Sequence, residues 1–484
     1  MIHASIRWVC LLSTLFLSLL SVCLAKEEYL PYPGISHIHS SISSGIYPPR
    51  KLVSLAQDKG IKILIFADTF LERWEYGLPV FSNIFKISLE EDSVVKYGIK
   101  RYLEDLRSIK DEFSDTLILE GTEVAPFYWW SGNLFKKNLS LNDWNRHFLV
   151  FGLKSYQDYA YLPVTGNRYF LPQLKDIPSL LIPVALIIWG IFILKKQRQR
   201  KFLGWIINIA GILFLFNVFP FSASQYNPYQ GKSEFLPHQD LINYVNEKGG
   251  LVFWAHPEVT EAISGGKFAK INFYTPSYPE ALISTSGYTG FGVNMVPGTS
   301  HELVLAGGEW DKVLISYCEG KRSRPAWAIG ELDYRGKGRI DAIQNVFFLP
   351  ELNQKAIYEV VRKGRFYVRY YPTVSLGDFH IEDSQGTTGD FAFMGEEIKI
   401  KAKPRLHIKV SCLIDLPEDL RIEIIRDAKI IQEFKLRNEK EFDLEFQDDS
   451  LPASDRKSYY RLNFFVGLNI ILVTNPIFVE IKNE

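Results

Sequence analysis

The sequence predicts an α/β domain interrupted by a transmembrane helical hairpin and followed by a C-terminal β-sandwich, and three observations carry that expectation. Short apolar runs alternate with amphipathic stretches over residues 34–165 and again from about 235, the rhythm of βα units. Two uncharged stretches, Ile177 to Leu194 and Phe202 to Phe221, enclose a strongly cationic loop. From Pro372 onward the pattern becomes period-two alternation, as in Glu397-Ile398-Lys399-Ile400-Lys401, Ile408-Lys409-Val410 and Ile422-Glu423-Ile424-Ile425.

Composition bounds what such a chain can be. At roughly 150 residues per domain, 484 residues imply two to four units. Lys plus Arg and Asp plus Glu both count 55, so there is no global field to draw in nucleic acid, and a nucleic-acid-coating protein is disfavoured. A hydrophobic share of 47% supplies buried cores and excludes general disorder. Of the four cysteines, Cys10 and Cys23 lie in the N-terminal apolar run, which leaves Cys318 and Cys412 as at most one bridge.

Taken in order, Trp8 to Ala25 is uncharged, follows Arg7 and ends before Lys26-Glu27-Glu28, so residues 1–25 read as a secretory signal cleaved after Cys23-Leu24-Ala25. An uncleaved anchor and a lipid-modified Cys23 are the alternatives, and all three place the chain beyond residue 25 outside the cytoplasm. Pro48 and Pro49 suit a first helical turn, Leu52, Val53, Leu55 and Ala56 make its apolar face, and Gly60 fits the position past its end. A buried strand Ile61 to Ala67 then ends at Asp68. The next unit has a helix over Val94 to Lys110 and a strand over Thr116 to Leu119 leading into Gly121-Thr122-Glu123. Within residues 171–225 the spans 177–194 and 202–221 are long enough to cross a bilayer, and Lys195-Lys196-Gln197-Arg198-Gln199-Arg200-Lys201 between them stays cytoplasmic by the positive-inside rule. A buried helical pair in a soluble core is the plainer reading. Past it come a helix from Asp240 to Glu247, Gly249-Gly250 as terminator and a strand Leu251 to Ala255 ending at His256. One α/β domain in two parts, 26–170 and 226–371, therefore carries the hairpin as an insertion, with the sandwich at 372–484.

Chemistry-bearing residues recur at one kind of place. His37-Ile38-His39 sits in a strand-like segment whose alternate residues share a face, so both imidazoles can point to one spot. Asp68, Glu123 and His256 each fall at or just past the C-terminal end of an expected strand, the edge where α/β barrels collect functional groups. His147 lies in the strand-like Arg146 to Gly152, and Asp333 follows Ala328 to Leu332. Lys321, Arg322 and Arg324 precede that last strand and offer a grip on a substrate phosphate, against the plainer reading of a solvated loop. His238, His301, His380 and His407 read as ordinary surface or hydrogen-bonded residues. Phe127-Tyr128-Trp129-Trp130 reads as core or interfacial packing. Gly287 to Gly292 lacks the strand-loop-helix context and the Lys of a phosphate-binding loop.

The order of His37-Ile38-His39, Ala67-Asp68-Thr69, Gly121-Thr122-Glu123-Val124, His147, Ala255-His256-Pro257 and Asp333-Tyr334-Arg335 resembles the PHP (polymerase and histidinol phosphatase) family of metal-dependent phosphoesterases, closest to exported members with a C-terminal β-domain. The likeness covers roughly residues 34–165 and 235–370, and extends to Tyr459-Tyr460-Arg461 and Thr474-Asn475-Pro476-Ile477. It implies a distorted (β/α)7 barrel and a pair of ions held by His37, His39, Glu123, His147, His256 and Asp333. A third ion in such relatives needs ligands where this chain has Ser44-Gly45, Thr69 and Tyr334, so a binuclear centre is expected. Mixed His and carboxylate ligands suit Zn, Mn or Fe better than Ca or Mg. The implied reaction is hydrolysis of a phosphoester by metal-bound hydroxide, with Glu123 bridging the ions and Asp68 hydrogen-bonding a ligand or shuttling protons. The expected partners are a phosphoester substrate and, through the hairpin, a lipid bilayer, with the catalytic and sandwich domains on the extracytoplasmic (periplasmic) side. The rival from another class is a non-catalytic receptor or scaffold. A transporter component is disfavoured because the spans carry no intramembrane charge.

Overall fold

Apolar runs without a charge pair side by side where both of their faces are covered. β1 (Leu30–Ile38) pairs in parallel with β2 (Ile63–Phe66), and β2 in parallel with β4 (Leu117–Leu119). β2 and β4 each break for one residue, at Ala67 and Glu120, and resume as β3 (Asp68–Thr69) and β5 (Gly121–Val124) in a second sheet. That sheet continues through β6 (Phe148–Phe151), β7 (Leu251–Trp254), β8 (Gly290–Val293) and β9 (Trp327–Gly330). Beyond β9 the chain returns to β1: Tyr334 N donates to His37 O and His39 N donates to Tyr334 O, each at 2.9 Å, around an Ile38–Tyr334 bridge. The computed structural model describes residues 29–77, 81–133, 136–170, 180–218, 226–231, 233–264, 271–386, 391–437, 439–451 and 456–481. The expected signal over 1–25 lies outside them, as do 177–179 and 219–221 of the expected spans.

The helices follow their sequence signals closely. α1 (Pro49–Gln57) opens on Pro49, buries Leu52, Val53 and Ala56, and is followed by Gly60 at φ 73°. The helix expected over 94–110 is two, Val94–Tyr97 and α2 (Ile99–Glu112), because Gly98 turns to φ 108° between them. α3 (Leu181–Lys196) and α4 (Lys201–Val218) run antiparallel, Gly190 meeting Asn208 and Gly211 meeting Ile187. Among the described residues α4 alone is long and apolar enough to cross a membrane. α5 (Leu236–Glu247) starts ahead of Asp240, with Pro237 in its first turn.

The large sheet does not stop at residue 372. β10 (Ile343–Leu349) lies antiparallel to β1, and β11 (Phe366–Tyr370) pairs with β10 and also with Asn469–Thr474, Tyr367 opposite Thr474. A separate four-stranded sheet is built from β12 (Val374–Asp383), β13 (Phe391–Phe393), β14 (Pro404–Cys412) and β15 (Glu441–Gln447). Its inner residues Leu376, Phe379, Ile381, Leu406 and Ile408 share one core with Ile422, Leu462 and Phe464 of the large sheet. That is sandwich packing of two faces. Cys318 and Cys412 are free thiols.

Buried polar side chains fasten the C-terminal strands to the site-bearing half. Arg461 Nη2 lies 2.8 Å from Asp311 Oδ1 on α6 (Glu309–Cys318), with both side chains wholly buried. Asn475 Oδ1 accepts from Ala328 N on β9 at 2.9 Å, and its Nδ2 donates to Phe366 O at 3.0 Å. Removing one partner of a buried ion pair strands the other charge, at about 3–5 kcal/mol. Asp311→Ala should therefore lower the unfolding free energy by about that amount, read as a lower urea midpoint, and Asp311→Leu combined with Arg461→Met should recover most of the loss. Equal midpoints for wild type and Asp311→Ala would show that the pair contributes nothing.

Candidate metal centre

Six side chains expected from the sequence meet at the C-terminal ends of β1, β5, β7 and β9 and at the N-terminal end of the antiparallel β6, which His147 precedes. Glu123, on β5 and 1% exposed, is the hub. His147 Nδ1 lies 2.7 Å from its Oε1, His37 Nε2 3.0 Å, His256 Nε2 3.3 Å, and His39 Nε2 3.5 Å from its Oε2. Asp333 Oδ1 faces His39 Nε2 at 3.2 Å and His37 Nε2 at 3.7 Å.

Convergence of His37 and His39 does not come from a regular pleat, as the sequence suggested. The register of β1 against β2 slips between Ser36 and Ile38, and His37 takes φ 59°. His256 at φ 33° and Asp333 at φ 44° share the positive-φ region, which disfavours residues with a Cβ by about 1–3 kcal/mol each. Half of the cluster is thus held in strained backbone, and a bulge re-aims the first imidazole.

Outward nitrogens of His39 and His256 have hydrogen-bonding neighbours, and that of His37 faces a carboxylate without a hydrogen bond. Ser43 Oγ stands 3.3 Å from His39 Nδ1 and donates to Asp68 Oδ1 at 2.6 Å, so the His39 Nδ1–H can donate to Ser43 and leave Nε2 bare. Glu331 Oε2 is 3.4 Å from His37 Nδ1, and the same carboxylate accepts from His256 N at 2.8 Å. Tyr278 Oη lies 3.5 Å from His256 Nδ1. Glu331 fits because Gly292 lacks a side chain: a Cβ there would meet Glu331 Oε2 at 2.0 Å. The Gly-rich segment, unsuited to cradling a nucleotide, therefore makes room for a carboxylate.

The residues fit divalent metal. His37 Nε2, His39 Nε2, His147 Nδ1 and Glu123 Oε2 are buried and make no hydrogen bond among the described residues, although opposite charges stand within 4 Å. Lone pairs that crowd together without pairing are aimed at a shared centre, the arrangement a cation completes. Two overlapping triads satisfy ligand spacing, His37–Glu123–His256 and His37–His39–Asp333. Electrostatics point the same way. Burial pushes Glu123 up, but His147 and His37 outweigh it and hold its carboxyl well below the usual range. Burial lowers His37, yet Glu123 and Asp333 reverse the sign and hold it well above the ordinary value.

Two expected site groups lie apart from the cluster. Asp68 makes no direct contact with the cluster; its carboxylate accepts from Ser40 N at 2.7 Å, Ser40 Oγ at 2.8 Å and Ser43 Oγ, and it reaches His39 through Ser43. Burial nonetheless pushes its carboxyl up, against His39 and Ser43. Lys321, Arg322 and Arg324 lie at the opposite end of β9 from Asp333. Lys321 pairs with Glu319, and Arg322 donates to Leu282 O at 3.2 Å and covers the Tyr288 ring. The cation at the cluster is Arg335, whose Nε donates to Asp333 Oδ1 and Nη1 to Ser44 Oγ, each at 2.9 Å. Arg335 and Glu331 are visible in the sequence only as neighbours of Asp333, with no spacing rule to single them out. A cavity of about 350 Å³ opens over Glu123, His147 and Asp333, lined also by Arg335, Glu72, Glu261, Trp74 and Trp144.

No protein-family model matches the chain, and no curated protein matches it. Among solved structures it is similar to a two-domain protein from Bacteroides vulgatus containing a predicted PHP-like metal-dependent phosphoesterase, over 93% of this chain and 95% of that one, at 11% identity and a TM-score of 0.33. A protein from Bifidobacterium adolescentis assigned as a metal-dependent phosphoesterase matches over 68% of this chain and 95% of its own, at 14% identity and a TM-score of 0.28.

Outer partners of metal-ligating histidines typically contribute 10–100-fold in affinity. Glu331→Gln and Gly292→Ala should each weaken zinc binding by about that factor in competition titrations with a fluorescent chelator. Unchanged affinity in both would mean that Glu331 does not orient the ligands.

Proposed function

We propose that the chain is a metal-dependent hydrolase of phosphoesters, anchored in a membrane by α3 and α4. The observation that carries the first part is the convergence of four imidazoles and two carboxylates, among which His37 Nε2, His39 Nε2, His147 Nδ1 and Glu123 Oε2 make no hydrogen bond among the described residues. His37, His39, His147, His256, Glu123 and Asp333 would hold two divalent ions of the Zn, Mn or Fe type. Such ions supply Lewis acidity toward a phosphoryl oxygen and a water of lowered pKa. We read the seven strand positions from β1 through the β2/β3 and β4/β5 pairs to β9 as a distorted barrel whose C-terminal mouth holds this site, in two parts, 26–170 and 226–371, with the sandwich from 372.

The chain's own groups do the rest. Glu123, Glu261 and Asp333 outnumber Arg335 in the cavity lining, so bound cations would favour entry of a phosphate. Arg335, fixed by Asp333 and Ser44, presents its guanidinium toward the cavity and can orient a phosphate oxygen. Glu72 is raised to about 7 by burial and then by Glu123, which leaves it able to hold a proton near neutral pH for a leaving oxygen. Trp74 and Trp144 give the same cavity an apolar wall, and the Trp144 indole N–H makes no hydrogen bond among the described residues.

Glu123→Gln should depress hydrolysis of an aryl phosphate ester about 10²-fold or more while far-UV circular dichroism is unchanged. Arg335→Ala should raise KM more than it lowers kcat. Wild-type protein loaded with Zn or Mn that turns over no aryl mono- or diester would favour the receptor reading.

Exposure supports the membrane half of the proposal. Phe202 is 81% and Ile182 69% exposed, and Trp189 and Trp205 are more than half exposed, an apolar belt that water would oppose. Lys195, Lys196 and Arg200 cluster at one end of the pair. The contact between the helices is built from Gly190, Gly204 and Gly211, small residues that let backbones approach. The full chain should stay in the membrane pellet after an alkaline carbonate wash, and replacing 177–221 with a short Gly/Ser linker should release it. A full chain found in the wash supernatant would end this part of the proposal. By the positive-inside argument the hydrolase faces the extracytoplasmic side, which protease protection of intact spheroplasts can read directly.

A further inference from the structure

The geometry points to a second divalent transition-metal site, on the outer face of the four-stranded sheet, formed by His380, His407 and Glu382. It is independent of the hydrolase reading, because none of these residues belongs to the Glu123 cluster. Strand register creates it. His380 on β12 stands directly opposite His407 on β14, and His407 directly opposite Glu445 on β15. All three point away from the sandwich core, since their neighbours Phe379, Ile381, Leu406 and Ile408 are buried against it.

Each imidazole has one nitrogen near a carboxylate and the other left for a ligand role. His380 Nδ1 is 2.8 Å from Asp378 Oδ2, and His407 Nδ1 is 3.4 Å from Glu445 Oε1. For His380, whose contact is a hydrogen bond, that is the carboxylate–histidine arrangement which fixes the tautomer and orients the far nitrogen of a metal ligand. The two rings stack, with centroids 4.6 Å apart and planes 12° from parallel. Glu382 Oε1 comes within 3.2 Å of His407 Nε2, yet that buried nitrogen makes no hydrogen bond among the described residues. Nitrogen and carboxylate therefore sit side by side rather than end to end. His380, His407 and Glu382 each offer one atom within 4.8 Å of the other two.

A simple ion pair explains this less well. Two adjacent imidazolium ions would repel across the strands, and Glu382 is already shared with Arg405, whose Nη1 is 3.6 Å away. One dication facing two neutral imidazoles and a carboxylate removes the repulsion and uses the bare nitrogens. Two imidazoles and one carboxylate with room for water suit Zn, Cu or Ni rather than Ca or Mg. Such an ion would clip β12 to β14.

Purified full-length protein dialysed against excess Zn should hold about one ion per chain more than His407→Gln or His380→Gln, both of which should retain hydrolysis and circular dichroism. With Cu in place of Zn, the paramagnetic resonance spectrum should contain a component with nitrogen splitting from two imidazoles that is missing from His407→Gln. If a glutamine variant fails to fold, the same copper component must be lost on Glu382→Gln. Equal zinc counts in wild type and a folded glutamine variant, or a copper spectrum indifferent to all three substitutions, would overturn the site. Loss of the Glu123 cluster's ions alone would leave it standing.

Discussion

A single buried carboxylate governs the architecture of the site. Glu123 is shut away from water, where an uncompensated anion is opposed by several kcal/mol after relaxation. Four imidazoles from three further strands answer it, and each must be delivered from a different direction. The breaks at Ala67 and Glu120, the bulge at His37 and the positive φ at His256 and Asp333 are the local distortions that achieve this delivery. None would persist alone; each is held because a hydrogen bond or a close approach leaves no relaxed alternative, as Glu331 does for His256 and Tyr334 for His37.

Rigidity of this kind has to be anchored somewhere, and the C-terminal strands supply the anchor. β9, which leads into Glu331 and Asp333, exchanges two backbone contacts with Asn475, at 2.9 and 3.4 Å. Arg461 meanwhile grips α6 through Asp311 and reaches Leu305 O at 3.3 Å. The motifs Tyr459-Tyr460-Arg461 and Thr474-Asn475-Pro476-Ile477 thus act on the site without touching it. The sandwich is consequently part of the scaffold that fixes the ligand geometry, and its strands share one sheet with β1.

Strand ends bearing His, Asp or Glu are legible in the sequence because each is a local pattern: an apolar run, then a polar residue at the edge. Asp68, Glu123, His256 and Asp333 announce themselves this way, whereas His147 precedes its apolar run and His37 and His39 are read from their alternation. Residues whose roles depend on distant partners do not. Glu331 matters because Gly292, on a neighbouring strand, leaves space for it. Lys321, Arg322 and Arg324 look like an anion grip by composition, but a strand separates its two ends, and their end is the wrong one. His380 and His407 are 27 positions apart in the chain and look ordinary singly; only the antiparallel register places them opposite each other. The alternation rule for His37 and His39 leads to the right destination for the wrong reason, since a bulge rather than the pleat brings the rings together.

The loop after His39 shows how charge can be arranged without additional ions. Ser40 and Ser43 direct their hydroxyls to Asp68, so that carboxylate is saturated and its charge is turned away from the cavity. Ser44 Oγ instead accepts from Arg335, which places a permanent cation beside Asp333. An ion at that corner would have to compete with a guanidinium already paired to the nearest carboxylate. Fixed positive charge also differs from a metal in what it can do: it cannot activate water, but it does not dissociate and presents planar donors to two phosphate oxygens at once. On the proposed reading, such a site would confine activation to ions around Glu123 and leave recognition to Arg335, so substrates would be distinguished by how their phosphate meets that guanidinium rather than by how many metals they recruit.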